Sequence, residues 1–329
     1  MISLLFQRLL RLGLDLCLVL AAVSVLVVGL LHLAPGDPLA LMQADARISP
    51  AVRAAWAQTF DPAQSVAHQW LALWRGLLGG ELGWSWSQQR PVVAVLRDAL
   101  PWTLLLMGTS LLLAAGVGFV GGTMLAVRRT HPLSRWALRG LRLLAAVPDA
   151  WLALVLLATL AVTWPLLPMQ GVCDPRTCVD ARAPGWGHAA DVARHAVLPV
   201  LTLTLLALTR FARAQRAAVL PVLASPLPRA VRARGVPESP LVWRHVVRGA
   251  LTPWLVMVAV SLPQLVGGAV FVERVFGWPG AGQVLVQAVG ARDYGLVLVL
   301  ALLASVLTVV GSSVVDAMTA WLDPRVRHP

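Results

Sequence analysis

Six apolar segments of membrane-spanning length constrain this chain more than any other feature of its sequence. A helix needs about 20 apolar residues to cross the hydrocarbon layer of a bilayer. The chain is 58% hydrophobic and only 13% charged, about half the charged fraction of a soluble protein. The sequence therefore predicts an all-α integral membrane protein with six transmembrane helices, at Leu12–Leu33, Leu100–Val127, Leu143–Leu167, His195–Ala214, Leu251–Val272 and Tyr294–Met318.

The positions of the arginines predict the orientation of these helices. Arg8 and Arg11 precede the first segment, and Arg325 and Arg327 follow the last one. Arginine-rich ends and loops stay on the cytoplasmic side during insertion. We therefore expect a multi-pass protein of the cytoplasmic (inner) membrane with both termini in the cytoplasm. The first segment has no small-residue cleavage site after it, so we expect a retained anchor.

A long mixed segment separates the first two spans and predicts the domain organisation. Residues 39–98 carry scattered tryptophans, which favour the headgroup level of a membrane with their polar edges in water. Within them, Val66–Leu78 has apolar residues at helical spacing and predicts a helix on or near the membrane. We expect residues 1–98 to form one transmembrane helix plus an extracytoplasmic segment, and residues 99–329 to form a core of five helices.

The segment Thr209–Pro253 is the most strongly charged interruption in the second half of the chain. It holds eight arginines and one acidic residue, Glu238. Ser225 predicts the cap of a helix that starts at Pro226, runs through Arg234 and ends at Gly235. Ser239–Pro240 repeats the start signal before the next span. Either this helix docks on a partner, or the arginines only fix topology and touch anionic lipid headgroups.

Two cysteines in the predicted external loop, Cys173 and Cys178, allow three interpretations. An extracytoplasmic location permits a disulfide between them. Free thiols are a second possibility, and a metal site that also uses His188 and His195 is a third.

Other classes of function find little support in the residues. The net charge of +12 resides in loops between apolar segments, so it does not predict a nucleic-acid-binding domain. All 27 basic residues are arginine, and a phosphate-binding loop of the Walker type requires lysine. No spacing of Ser, His and Asp suggests nucleophilic catalysis. We expect neither a cofactor nor a resident metal nor an enzymatic activity in this chain.

Six motifs in collinear order resemble the membrane permease subunit of binding-protein-dependent ABC importers, in the dipeptide, oligopeptide and nickel branch. The resemblance covers essentially the whole chain. The motifs are Leu33–Pro38, Leu100–Leu104, Arg229–Gly235 with Trp243–His245 and Arg248–Pro253, Val272–Gly280, Ala291–Tyr294 and Leu322–Arg327. The wider family begins its loop motif with Glu-Ala-Ala where this chain has Arg229-Ala230-Val231, a departure that fits the narrower branch.

This resemblance implies the type I ABC importer permease fold and a set of partners. The subunit would pair with a second homologous permease subunit, two cytoplasmic ATPase subunits and an extracytoplasmic solute-binding protein, within membrane lipid. The cytoplasmic loop 215–250 would couple ATP hydrolysis to transport of a small solute. The expected solute is a di- or oligopeptide. The residues expected to contact the ATPase are Arg229, Ala230, Arg232, Ala233, Arg234 and Gly235.

The residues Glu273, Trp278 and Asp293 follow the fifth predicted span on the external side. We expect them to form an external gate or a docking surface for the binding protein. The alternative is a structural turn built by Pro279 and Gly280.

Two other functions remain open at this stage. A proton-driven secondary transporter would use an intramembrane carboxylate, Asp149 or Asp316, although Arg142 offers Asp149 a simple ion pair. A membrane scaffold would carry no solute at all. Among importers, transport of nickel or of another small solute is the alternative to peptide transport.

Overall fold

Helices dominate the structure, a computed structural model that describes residues 2–33, 66–80, 82–174, 186–261 and 269–322. In chain order, its elements are α1 (Ile2–Leu33), α2 (Val66–Leu78), β1 (Trp84–Ser85), β2 (Arg90–Pro91), α3 (Val92–Val127), α4 (Pro132–Ala145), α5 (Asp149–Leu157), α6 (Trp186–Ala224), α7 (Leu227–Ala233), α8 (Glu238–Pro240), α9 (Val247–Ser261), α10 (Val270–Val275), α11 (Ala281–Gly290) and α12 (Tyr294–Leu322). Two π-helical stretches, Ala158–Thr163 and Leu241–Val246, continue α5 and join α8 to α9. Strands β1 and β2 form an antiparallel hairpin, the one β-sheet in the described residues.

Four of the described helices are long and apolar enough to cross a membrane. They contain the stretches Leu10–Gly29, Val92–Val127, Trp186–Ala224 and Tyr294–Val314. A bent pair, Pro132–Ala145 with Asp149–Thr163, makes a fifth candidate if it is counted as one span. The predicted span Leu251–Val272 includes residues 262–268, which lie outside the described residues.

The predicted third span, Leu143–Leu167, is wrong at its start. Helix α4 ends at Ala145, and the chain turns by 106° before the apolar helix that begins at Asp149. Pro148 is the N-cap of α5 in an extended conformation. Because proline has no backbone N–H and its ring clashes with a preceding helical turn, the helix cannot run through this position. Residues that were expected to form a short cytoplasmic loop therefore form α4 instead.

The contacts of the chain define two units, and the first comprises Met1–Thr103 and Pro279–Val310. Its core joins the start of α3 to α11 and α12 through Val92, Val95, Ala288 and Leu296, all fully buried. Helix α2, predicted from its spacing, packs on α1.

The tryptophans of α2 do not place their polar edges in water as predicted. The indole Nε1 atoms of Trp70 and Trp74 both donate to Ser24 Oγ, at 2.8 and 3.3 Å. An indole N–H that is partly removed from water favours an acceptor in the protein, and this serine of α1 supplies it. The hydrogen bonds attach α2 to the first apolar helix.

The second unit comprises Leu104–Trp278 and Gly311–Pro329, and α6 is its central helix. Helices α4, α5, α7, α9 and α10 all contact α6. Helix α3 crosses it at Gly118 and Gly122, where the missing side chains admit the backbone of Ala212. Ala126 and Val219 belong to the same buried cluster further along both helices. Helices α3 and α6 therefore run in the same direction and end on the same side of the unit.

Candidate functional site

The arginine-rich segment 209–253 folds as a short helix held between two long ones. Helix α6 continues through Pro221 to Ala224, α7 follows after two residues, and the chain returns through α8 and the π-helical stretch into α9. The predicted coupling loop 215–250 is thus mostly helical. Among the described residues of this loop, α7 is the only separate short helix that has an exposed face with arginines.

Helix α7 starts differently from the prediction. Pro226 is its N-cap, and no side chain caps the first turn. The Ser225 hydroxyl instead donates to the Val222 carbonyl at 2.7 Å, within the last turn of α6. The predicted serine cap is wrong because α6 extends so far that Ser225 serves its C-terminal end.

The end of α7 agrees with the prediction. Gly235 has φ +77°, and its N–H donates to the Arg232 carbonyl at 2.9 Å. This left-handed residue closes the helix in the way that glycine favours. Pro237 then takes an extended conformation at the start of α8.

Helix α7 has a buried face and an exposed one. Pro228 and Val231, three residues apart, are buried. Val231 packs in a cluster with Val219 of α6, Leu241 and Val246 of the π-helical stretch and Ala250 of α9. The six residues expected to contact an ATPase are all exposed: Arg229, Ala230, Arg232, Ala233, Arg234 and Gly235.

A π-helical stretch, Leu241–Val246, forms the support under α7. π-Helical turns are rare and occur frequently at functional sites. Leu241, Val242 and Val246 are buried, and both α7 and α8 contact this stretch. The exposed face of α7 is therefore connected through packed side chains to the start of α9.

One of the exposed arginines is already paired within the chain. Arg232 Nε donates to Glu238 Oε1 at 2.6 Å, and Arg232 Nη2 donates to Oε2 at 3.3 Å. The hydrogen bond from Arg232 lowers the pKa of Glu238, and the same contact raises the pKa of Arg232. The two side chains are exposed, at 50% for Arg232 and 65% for Glu238, so water and salt weaken this pair. The sequence showed the lone acid among the arginines, but not that it would bind Arg232 across the turn at Gly235.

A basic groove lies beside α7. It has a volume of about 520 Å³ and is lined by Leu227, Arg244, His245, Arg248 and Gly249. Within the described part of the chain, the side chains of Arg244, His245 and Arg248 form neither an ion pair nor a hydrogen bond. These side chains can therefore bind an anionic group, such as a carboxylate or a phosphate, by donating hydrogen bonds to its oxygens.

The residues expected at the external side, Glu273, Trp278 and Asp293, are each 0% exposed. A side chain without accessible surface cannot contact a docking protein in this conformation. Glu273 and Trp278 lie in the second unit, where the backbone N–H of Trp278 donates to the backbone carbonyl of Glu273 at 2.8 Å. The turn between them contains Gly277, with φ +61°. Gly280 follows it as the N-cap of α11, and a structural turn at Pro279 and Gly280 stays a prediction.

Asp293 joins the hairpin to α12 inside the first unit. Its Oδ2 accepts from Ser85 Oγ at 2.5 Å and from Ser87 Oγ at 2.7 Å, and also from the Ser87 N–H at 3.0 Å. Its Oδ1 accepts from the Leu296 N–H at 3.3 Å, which caps the first turn of α12. The carboxylate is therefore a structural connection between two segments that are far apart in sequence.

We expect Asp293→Ala to detach the hairpin from α12, because it leaves buried donors without an acceptor. Each lost acceptor of this kind costs about 1–3 kcal/mol. Hydrogen exchange of residues 84–91 should accelerate, and the melting temperature of the purified protein should fall. Asp98 is the matched control, since it is an exposed acid of the same unit that pairs with Arg90. If Asp98→Ala and Asp293→Ala had equal effects, this structural role would be refuted.

The remaining sequence candidates are placed as follows. Cys173 is disulfide-bonded, while Cys178 lies outside the described residues, so the pairing of the two stays a prediction. Asp149 is exposed at the start of α5, and the side chain of Asp316 is outside the described part. In the described residues, no group of three or more His, Cys, Asp or Glu side chains could hold a metal ion.

Comparison with known proteins gives one family and a consistent set of relatives. Residues 118–328 match the family described as binding-protein-dependent transport system inner membrane component. The chain is 34% identical to the probable D,D-dipeptide transport system permease protein DdpB of Escherichia coli, with 94% of each chain covered. It is 33% identical to the glutathione transport system permease protein GsiC of Escherichia coli, over 93% of this chain and 94% of the other. It is 29% identical to the oligopeptide transport system permease protein AppB of Bacillus subtilis, over 94% and 96%.

Proposed function

The chain belongs to the family of binding-protein-dependent transport system inner membrane components, and on this premise we propose that its solute is a di- or oligopeptide. It is a permease subunit of an ATP-driven importer in the inner membrane. The names of its relatives support the peptide class, because they describe transport of dipeptides, oligopeptides and glutathione. Those relatives match it along more than nine-tenths of its length.

The proposed assembly contains this chain, a second homologous permease subunit, two cytoplasmic ATPase subunits and an extracytoplasmic solute-binding protein. This chain would contribute six spans with both termini in the cytoplasm and would itself hydrolyse no ATP. The sequence pattern of six apolar segments supports that topology, together with the four long apolar helices and the one bent pair of the described residues.

Helix α7 would be the coupling element of this assembly. The observation that carries the proposal is its division into two faces, with six exposed residues outside and Val231 buried inside. A displacement of the exposed face would be transmitted by Val231 to the π-helical stretch and α9, with which it packs. The contact with Val219 would transmit it to α6. Since packed side chains deform little, α7 would move these helices as a rigid lever. The basic groove at Arg244 and Arg248 would receive an acidic side chain of the ATPase.

At the external side, a gate is a better role for Glu273, Trp278 and Asp293 than a docking surface. Their burial supports this choice, since gate residues can be covered in one conformation while docking residues must be accessible. In the gate role, they would hold the turns that open and close the pathway.

The function is tested by reconstituting the assembly that co-purifies with the tagged chain. Proteoliposomes with ATP inside and the binding protein outside should accumulate tritiated dialanine or trialanine. Uptake should require both ATP and the binding protein. Uptake of nickel(II) instead would identify the alternative solute. Uptake driven by a proton gradient without ATP would identify a secondary transporter, and no uptake of any solute would favour a scaffold.

A further inference from the structure

Helix α4, Pro132–Ala145, combines apolar residues with three arginines, and neither a membrane span nor the coupling role of α7 accounts for this composition. His131 caps it by accepting the Leu133 N–H on Nδ1 at 3.2 Å, and Pro132 occupies the first turn. The helix carries three arginines in 14 residues, so it is not itself a span. Between Arg128 and Pro148 the sequence contains no acidic residue.

The side chains of α4 divide into three faces. The first face packs toward the protein, with Ser134 buried and Leu138 and Leu141 half-buried, and the helix contacts α6. The second face is apolar but exposed, at 69% for Leu133, 65% for Trp136 and 73% for Leu143. The third face is cationic and consists of Arg135, Arg139 and Arg142, all exposed.

The direction of α4 explains why an apolar and a cationic face are exposed together. The axis of α4 makes an angle of 106° with the apolar helix Asp149–Thr163 that follows it. Asp149–Thr163 is the apolar part of this pair, so with that helix directed across the membrane α4 lies close to the plane of the bilayer surface. An amphipathic helix in this position buries its apolar face at the boundary between headgroups and acyl chains.

We propose that α4 is an in-plane membrane anchor that binds the anionic headgroups of the cytoplasmic leaflet. Leu133, Trp136 and Leu143 enter the lipid, and Arg135, Arg139 and Arg142 bind lipid phosphates. The Arg139 guanidinium lies 4.7 Å from the centre of the Trp136 ring, a contact that joins the cationic face to the apolar one. Helices α3 and α6 end on the same side, so α4 leaves the membrane at the same end as α7.

A protein partner is a less suitable occupant of this surface. A protein partner would have to supply several carboxylates at once, because the chain has no acidic residue between Arg128 and Pro148 to pair with the three arginines. An anionic lipid surface satisfies both faces at once, since each arginine near such a surface contributes about 1 kcal/mol.

The proposal is tested with spin labels in the reconstituted full assembly. Single cysteines replace Leu133, Trp136, Leu143, Arg135, Arg139 or Arg142 on a Cys17→Ser background, since Cys17 is exposed and free. In vesicles that contain phosphatidylglycerol, labels at 133, 136 and 143 should be accessible to oxygen and shielded from a nickel chelate, at about 5–10 Å below the phosphates. Labels at 135, 139 and 142 should be more accessible to the chelate.

Three comparisons make the outcome decisive. If the labels at 133, 136 and 143 were shielded from both reagents, a protein would cover the apolar face. If these labels were accessible to the chelate, water would cover it. Either result overturns the proposal. Replacing all three arginines with glutamine should raise the chelate accessibility of these labels, whereas replacing them with lysine should not. Inorganic phosphate added to phosphatidylcholine vesicles should fail to reproduce the effect of phosphatidylglycerol, since a free anion does not hold the arginines at the bilayer surface.

Discussion

Replacing Gly235 with valine is expected to lower peptide uptake about tenfold, while ATP hydrolysis by the partner subunits continues without stimulation by the binding protein. Gly235 closes α7 at φ +77°, and a residue with a Cβ in that conformation costs about 1–2 kcal/mol. Residues with β-branched side chains, such as valine, adopt this left-handed backbone conformation least readily. A strain of about 1.4 kcal/mol shifts a conformational equilibrium by about tenfold, which is enough to move α7 out of its coupling position. Paired measurements of uptake and ATPase activity in proteoliposomes test this expectation.

The matched control is Gly235→Asn, because asparagine adopts the left-handed conformation more readily than other residues with a side chain. Among the described residues, no heavy atom beyond Gly235 and its two chain neighbours lies within 4 Å of the position that a Cβ would occupy at Gly235. A steric clash with these residues therefore does not explain a loss. Asparagine should therefore retain most of the uptake. If valine left coupled transport at its normal level, α7 would not be the coupling element.

The start and the end of α7 show what the sequence predicts well and what it does not. Gly235, followed by Pro237, is a local signal, since glycine favours a left-handed residue in almost any context, and the structure agrees. The serine signal at Ser225 depends on where the preceding helix ends. Helix α6 runs through Pro221, and Ser225 bonds back to it. Competition between two helices for one capping residue is not visible in a short motif.

The long apolar helices follow directly from the sequence, because their length and composition leave few alternatives in a membrane. The predicted span Tyr294–Met318 lies within α12, and Leu100–Val127 lies within α3. The start of the third span was less predictable, since Leu143 and Leu144 suit both a span and the exposed and packed faces of an amphipathic helix. Only the chain direction at Pro148 separates the two.

The external residues illustrate the limit of a motif-based expectation. Asp293 stands in the segment Ala291–Tyr294, which resembles a family motif, and a carboxylate at a membrane boundary suggests contact with solute or partner. Its real neighbours are Ser85 and Ser87, more than 200 positions earlier in the chain. Long-range pairs of this kind cannot be deduced from one sequence, because neither partner carries a signal that specifies the other.

We expect Gly118→Ala and Gly122→Ala to disrupt the second unit more than any surface substitution. A Cβ at Gly118 would lie 2.5 Å from Phe211 Cβ and 3.0 Å from the Ala212 nitrogen, and a Cβ at Gly122 would lie 2.5 Å from the Ala212 carbonyl oxygen. Because these neighbours are backbone atoms or atoms bonded to the backbone, no change of rotamer relieves the overlap. Overpacking of this kind costs about 1–3 kcal/mol per site, and close approach of small residues is a main source of helix association in membranes.

The same helix supplies the controls for this prediction. At Gly116 and Gly121 a Cβ would meet no heavy atom of another described element within 4 Å, so alanine at these positions should be neutral or slightly stabilising. The hydrogen bond from Gln215 Nε2 to Thr123 Oγ1, at 3.1 Å, lies at the crossing and should be lost in Gly122→Ala. The measurement is the fraction of detergent-solubilised protein that remains monodisperse after heating, compared across the four single variants. Equal thermal stability of Gly116→Ala and Gly118→Ala would show that α3 and α6 do not cross at this glycine pair.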